Sequence, residues 1–365
     1  MAHREHLVLG IVSAVFVIAV AVMCVIFPKS TAKPTLPESD HNDTAADVQS
    51  TWDSDTEKVP DTAAGTEAES EPASSEHEPV DTPDTSSHGG QTPPPVASYG
   101  DLFVSGGFTP SDSSLSTLDS ALRAFGRQAG ICAIDIETGV TISYNADTRF
   151  APASIVKAVF ALYCMRCVDE GQASLDEILT YTEEDDVNDS GECVIEKMGY
   201  GAQLTLRDVI YHTINTSDNE GYYMLLRRFG KGGRRACDAM TAALGCTTCK
   251  ISESRWPTVS ARDMALIWEE IYRYRTESDN GRLLYEMFEG VAYMHFFRDA
   301  LGVPAANKAG WNGESYNECG IVCGDRTYVL AVLSKGSYYT ANKTAFADIV
   351  RAVNSMMTEL AASHT

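Results

Sequence analysis

Histidine is scarce in this chain. There are eight in 365 residues, and only His212, His295 and the near-terminal His364 lie beyond residue 100. Packing or surface roles explain His212, beside Tyr211, and His295, between Met294 and Phe296. This scarcity argues against a Ser-His-Asp triad and against histidine metal sites, so any nucleophile needs another base. Cations are also few, with 28 Lys+Arg against 51 Asp+Glu for a formal charge of −23. Duplex nucleic acid needs a basic face for its phosphates, so no nucleic-acid partner is expected. Cys246-x-x-Cys249 has no second C-x-x-C and no suitably spaced His, which removes the usual structural zinc pattern. No metal is expected, and nothing indicates a nucleotide, haem or flavin cofactor.

What is present divides into three regimes. Leu7–Phe27 is a run of 21 uncharged, mostly apolar residues. As a helix at about 1.5 Å per residue it spans the roughly 30 Å core of a bilayer. No A-x-A site follows it, and bulky Met23 precedes Cys24, so an uncleaved anchor is favoured over a signal peptide or a lipoprotein signal. Residues 29–100 hold three Lys against fifteen Asp/Glu, net −12, with few large apolar residues. Such a stretch cannot offset its ordering entropy by burial, and it reads as a disordered acidic tether. Residues 101–365 hold 24 basic and 35 acidic residues, net −11, and are long enough for a sizeable core. The expected division is therefore a transmembrane anchor over 1–28, a tether over 29–100 and a folded domain over 101–365.

In the domain, Ser114–Phe125 reads as a helix, and Gly130–Ile136 with Val140–Tyr144 as a β-hairpin. Ser154–Glu170 is a strong helix closed by Gly171. Helices follow around Leu206–Thr213, Gly221–Phe229, Ala236–Leu244 and Ser260–Tyr274. Ala306–Trp311, Tyr316–Cys323 and Thr327–Ser334 read as strands, and Thr340–Ala362 as a closing helix. Strands at both ends with helices between predict an α+β fold, one antiparallel sheet built from the two chain ends and helices packed on it. Nine cysteines lie in this part, an odd count that leaves at least one thiol free; some should pair if the domain faces an oxidising space. Cys164 and Cys167, three apart on a helix, read as packing residues.

Lysine is rare, ten in all, so Ser–Lys spacing can be inspected completely. Ser-x-x-Lys occurs at Ser30–Lys33, in the tether, and at Ser154–Lys157, which opens the strong helix. Three residues apart puts Ser154 and Lys157 on one face, one turn apart. A serine at a helix N-terminus sits where developing negative charge is favoured, and a desolvated Lys can act as a base. Alone, the pair is a helix cap beside a surface lysine. Two further motifs change that: Ser217-Asp218-Asn219 between helices, and Lys308-Ala309-Gly310 on the first C-terminal strand.

The order Ser-x-x-Lys, Ser-Asp-Asn, Lys-x-Gly resembles the penicillin-recognising serine enzymes, nearest the class A β-lactamases. Leu204-Thr205-Leu206-Arg207-Asp208 and Ser260-Ala261-Arg262-Asp263-Met264-Ala265 extend the likeness, which covers about 110–363. The resemblance implies a β-lactamase/transpeptidase-like fold with an all-helical subdomain. It also implies roles. Ser154 would be the acylated nucleophile and Lys157 its proton acceptor; Ser217 would relay a proton to the leaving amine. Asn219 would hold a substrate amide, and Lys308, with Gly310 beside it, would bind a substrate carboxylate. The N–H groups of Ser154 and Trp311 would form the oxyanion hole.

The match fails at two places. Ala309 stands where the family usually has Thr or Ser. The family's loop carboxylate, Glu-x-x-Leu-Asn, has no counterpart in Ile251-Ser252-Glu253-Ser254-Arg255-Trp256-Pro257; Glu253 is the one candidate for a deacylating base. Without such a base, acylation outpaces deacylation. The expectation is a membrane-anchored, extracytoplasmic, monomeric serine hydrolase that acts on a β-lactam or cell-wall peptide amide. The alternatives are a low-turnover D-Ala-D-Ala peptidase or penicillin-binding protein, and a non-catalytic wall-binding or sensory module.

Overall fold

The C-terminal strand sequence Thr-Tyr-Val-Leu-Ala-Val-Leu-Ser is apolar on both alternating faces, which a strand tolerates only when both sides are covered. The computed structural model shows this arrangement. It describes residues 96–99, 101–187, 193–292, 295–336 and 343–363. The expected anchor Leu7–Phe27 and the tether up to residue 95 lie outside the described residues. Among those described, no helix is long and apolar enough to cross a membrane.

Nine strands and eight α-helices are described. The strands are β1 (Val96–Tyr99), β2 (Leu102–Ser105), β3 (Ala129–Asp135), β4 (Thr141–Tyr144), β5 (Ile178–Thr180), β6 (Gln203–Thr205), β7 (Ala305–Trp311), β8 (Tyr316–Cys323) and β9 (Thr327–Ser334). The helices are α1 (Asp112–Ala124), α2 (Val156–Asp169), α3 (Leu206–Asn215), α4 (Asn219–Ala243), α5 (Ala261–Tyr274), α6 (Asp279–Glu289), α7 (Phe296–Leu301) and α8 (Lys343–Ser363). Seven strands form one sheet in the order β1-β2-β4-β3-β9-β8-β7, every neighbouring pair antiparallel. The expected sheet from both chain ends is present.

Helices cover both faces. Leu118, Leu122, Phe346, Val350, Val353 and Met357 of α1 and α8 pack on Ile131, Ala133, Leu330 and Val332. Cys132, Ile134, Val329, Ala331 and Leu333 face the other way, into a core shared with α2 and α5. Period-two alternation thus splits β3 and β9 between two cores.

Three expectations change. The folded part begins before residue 101, because β1 pairs with β2 and adds a hairpin to the sheet through β4. Strands of four residues beside a polar stretch carry too little periodicity to be read. The helical subdomain is not all-helical, since β5 and β6 form a two-stranded ribbon. Gly221–Phe229 and Ala236–Leu244, expected as two helices, run together as α4 with a break at Gly230 (φ 62°, ψ −167°). Only glycine adopts that backbone cheaply.

Candidate active site

Ser154 and Lys157 lie where β7, at one edge of the sheet, meets the helical subdomain. Ser154 sits in a 3₁₀ turn, Ala153–Ile155, that leads directly into α2. The turn is strained, since Ala153 has φ +45°. It is held from two sides. Asn317, buried near the start of β8, donates through Nδ2 to Ala151 O at 2.9 Å and Pro152 O at 3.1 Å, while its Oδ1 accepts from Ser334 N at 2.9 Å. Phe150 and Val259 exchange backbone hydrogen bonds of 2.8 and 3.0 Å. Gly310 on β7 lies so close that an added Cβ would stand 2.6 Å from Ser154 N and 2.7 Å from Ile155 N. The strand carrying Lys308, Gly310 and half-buried Trp311 therefore presses on the nucleophile's own amide.

The inter-helix motif completes the cluster. Thr205 caps α3 in a capping box with Asp208, and α3 ends at Asn215. Ser217 follows in the left-handed region, φ +58°. Its carbonyl accepts from Lys157 Nζ at 2.5 Å and its hydroxyl from Lys308 Nζ at 2.9 Å. Asp218 caps α4, accepting from Gly221 N at 2.9 Å and from Ile195 N at 3.0 Å. Asn219 Oδ1 accepts from Lys157 Nζ at 2.5 Å. Lys157 Nζ also lies 3.4 Å from Ser217 Oγ. Both lysines are buried, 0% and 2% exposed. Burial first, and then the neighbouring Lys157 charge, pull the Lys308 ammonium well below the usual lysine range, against the opposing pull of Glu318.

Lys157, Ser217, Asn219 and Lys308 thus meet through direct hydrogen bonds, and Ser154, one helical turn before Lys157, lies against Gly310. The Ser217 hydroxyl between two buried amines can pass protons, and a serine at the strand contact, with its backbone amide beside it, can be acylated. Ala309 is buried and brings no hydroxyl.

Glu253 is a correction. It is exposed to solvent, and its N–H bonds Lys250 O. An activating carboxylate must share the desolvated pocket, and from this loop the structure brings Trp256 to Lys157 instead. The indole lies 5.6 Å from Lys157 Nζ, ring centroid to nitrogen. The start of the loop is tied down. Buried Asp263, in the first turn of α5, accepts from the amides of Thr247, Thr248 and Cys249 at 3.0, 2.6 and 3.2 Å and from Thr248 Oγ1 at 2.6 Å. Sequence reasoning assigned no role to Trp256 or Asn317. A polar Asn-Glu pair at the start of a strand that ends apolar was the one available signal.

Among the described residues, Cys193, Asp218 and Glu220 bring possible ligand atoms within 4.8 Å of one another. They are poorly suited to a cation. Asp218 is committed to two backbone amides, and burial pushes the Cys193 thiol up to about 12 and the Glu220 carboxyl upward. The nine cysteines of the domain are unpaired, seven of them buried. Burial raises the thiols of Cys164, Cys237 and Cys319 far above their usual range, which leaves them as inert packing groups.

A two-lysine serine site between an antiparallel sheet and a helical subdomain defines a class of acyl-transferring serine enzymes. A profile of the β-lactamase enzyme family matches residues 114–357. The chain belongs to this β-lactamase/transpeptidase-like family. It is 30% identical to a β-lactamase of Streptomyces cellulosae over 157 residues, which are 42% of this chain and 48% of that protein. It is 24% identical to β-lactamase VEB-1 of Pseudomonas aeruginosa over 119 residues, 33% of this chain and 40% of that one. The matched stretches span less than half the length of these relatives. The structure of a Chitinophaga pinensis β-lactamase superposes with a TM-score of 0.59 at 19% identity, over 66% of this chain and 98% of that one. A mutant of PBP-A, in an acyl-enzyme complex with penicillin G, superposes with a TM-score of 0.59 at 20% identity, over 67% and 97%. The hairpin β1–β2 precedes the matched residues.

Proposed function

We propose that this protein is a serine hydrolase that forms an acyl-enzyme on Ser154 with a β-lactam or a related cell-wall peptide amide. One observation carries the reading: Lys157, one helical turn beyond Ser154, and Lys308 both reach Ser217 Oγ, at 3.4 and 2.9 Å. Attack by Ser154 Oγ on the amide carbon transfers its proton toward Lys157. The carbonyl oxygen takes up negative charge beside the Ser154 amide. Ser217, bonded to both lysines, returns a proton to the departing nitrogen, and the C–N bond breaks. Asn219 and Lys308 orient the substrate's amide and carboxylate.

Trp256 in place of a water-activating carboxylate favours the slow end of this chemistry, a penicillin-binding or low-turnover peptidase behaviour. The proposal includes anchoring through Leu7–Phe27 with the domain outside the membrane, where such substrates occur; the length and apolarity of that run support it.

The test follows fluorescent penicillin labelling and chromogenic cephalosporin turnover by the purified chain, against Ser154→Ala. A covalent label absent from Ser154→Ala supports the proposal. Neither label nor product would sink it and leave a binding module as the better account.

A further inference from the structure

The loop between Cys249 and Ser260 does more than replace a carboxylate. Lys157 is fully buried, while Trp256 is half-buried, so the indole is an outer layer over the lysine on this side. Its position is set by several independent contacts. The indole Nε1–H points to Tyr223 Oη at 3.4 Å. The ring packs on Tyr222 with centroids 5.1 Å apart. Tyr222 Oη donates to Arg255 O at 2.8 Å, which fixes the residue before Trp256. The Arg255 guanidinium in turn caps the Tyr223 ring at 4.6 Å. Buried Pro257 follows, and the Val259–Phe150 bridge joins this loop to the segment entering the Ser154 turn.

From this geometry we infer that Trp256 is a positioning residue that sets acyl-enzyme lifetime by shutting water out of the Lys157 side of the site; the inference rests on the acyl-enzyme reading above. Deacylation adds a water oxygen to the Ser154 ester carbon. It breaks the bond from that carbon to Oγ, and one water proton ends on Oγ while the acyl group leaves as a carboxylic acid. The water needs room and a proton acceptor at the moment of attack. An indole offers neither, because its single polar atom is a donor and here is directed at Tyr223. Acylation needs no water, since the amide substrate brings its own leaving nitrogen. The two half-reactions are therefore separated by one side chain.

The experiment measures both half-reactions on the full chain, as label gained per time and label lost after excess penicillin is removed. Trp256→Ala should shorten the adduct half-life at least tenfold, with acylation within about threefold of wild type. Trp256→Phe keeps an aromatic cover and should retain the wild-type half-life within about threefold. Tyr223→Phe releases the indole without opening a cavity and should speed label loss severalfold; it decides the matter if Trp256→Ala does not fold. A half-life unchanged in Trp256→Ala, acylation and deacylation falling together, or Phe behaving like Ala would each overturn the inference. A wild type that never acquires label overturns the acyl-enzyme reading itself, which is a different result.

Discussion

Replacing Lys308 by Met should stabilise the protein while removing its chemistry. While both are protonated, the two buried lysines place their ammonium groups on one hydroxyl, at 3.4 and 2.9 Å from Ser217 Oγ, and so stand on the order of 6 Å apart or closer. At an effective dielectric of about 20, two unit charges at that distance repel by about 3 kcal/mol. Lys308→Met keeps the apolar stem and removes one charge. It also gives up the hydrogen bonds to Ser217 Oγ and Ala309 O, which cost about 1 kcal/mol each at net value. The balance is a gain of about 1 kcal/mol at pH 7, or a Tm rise of about 2–4 °C for a domain of this size. Loss of function with gain of stability is the usual exchange at a strained site. The pH dependence supplies the control. Lys308 has a folded value below its unfolded one near 10.5, so the folded state binds fewer protons. The cost is fully present below the folded value and is relieved as pH rises from there toward 10.5. Thermal melts at pH 7 and near pH 10.5, read by circular dichroism, should show the Met advantage shrinking at the higher pH. A Tm at or below wild type at pH 7, or an advantage equally large at both values, would refute the charge argument.

Two further outcomes follow from the packing. Gly310→Ala places a methyl 2.6 Å from Ser154 N and 2.9 Å from Pro152 O, both backbone atoms that cannot swing aside. β7 must retreat from the nucleophile turn, and penicillin labelling should slow on the order of 100-fold, the cost of one displaced oxyanion donor. Asp263→Asn removes the charge from the oxygen that three loop amides and one hydroxyl share, and puts an NH2 donor where Oδ1 faces Thr247 N–H. Its urea midpoint should fall by the equivalent of about 2–4 kcal/mol, as hydrogen bonds to a charged group are lost in a buried site; an unchanged midpoint would show that the loop is held elsewhere.

The large elements were legible because their signals are local. β7, β8 and β9 appeared as apolar runs separated by turn residues, and α2 and α5 as long apolar helices with a glycine stop or a serine cap. The ribbon β5–β6 and the hairpin β1–β2 did not, since three or four residues carry almost no period. The same division holds in the site. Ser154, Lys157, Ser217, Asn219 and Lys308 could be named from spacing, because each motif occupies one short segment with its own chemistry. Glu253 was picked by its position in a loop, and loop position does not say which side chain turns inward.

By itself the sequence determined the antiparallel sheet from both chain ends, its long helices and the short motifs that meet at its edge. Those follow from periodicity, caps and side-chain chemistry, which are properties of neighbours along the chain. The tertiary structure alone decided that two lysines meet at one hydroxyl, that Asn317 fastens the nucleophile turn from β8, and that Trp256 covers Lys157 where a carboxylate was sought. Each depends on groups from different elements meeting with water excluded. Charge repulsion, orphaned carbonyls and access of a water molecule take their values only there.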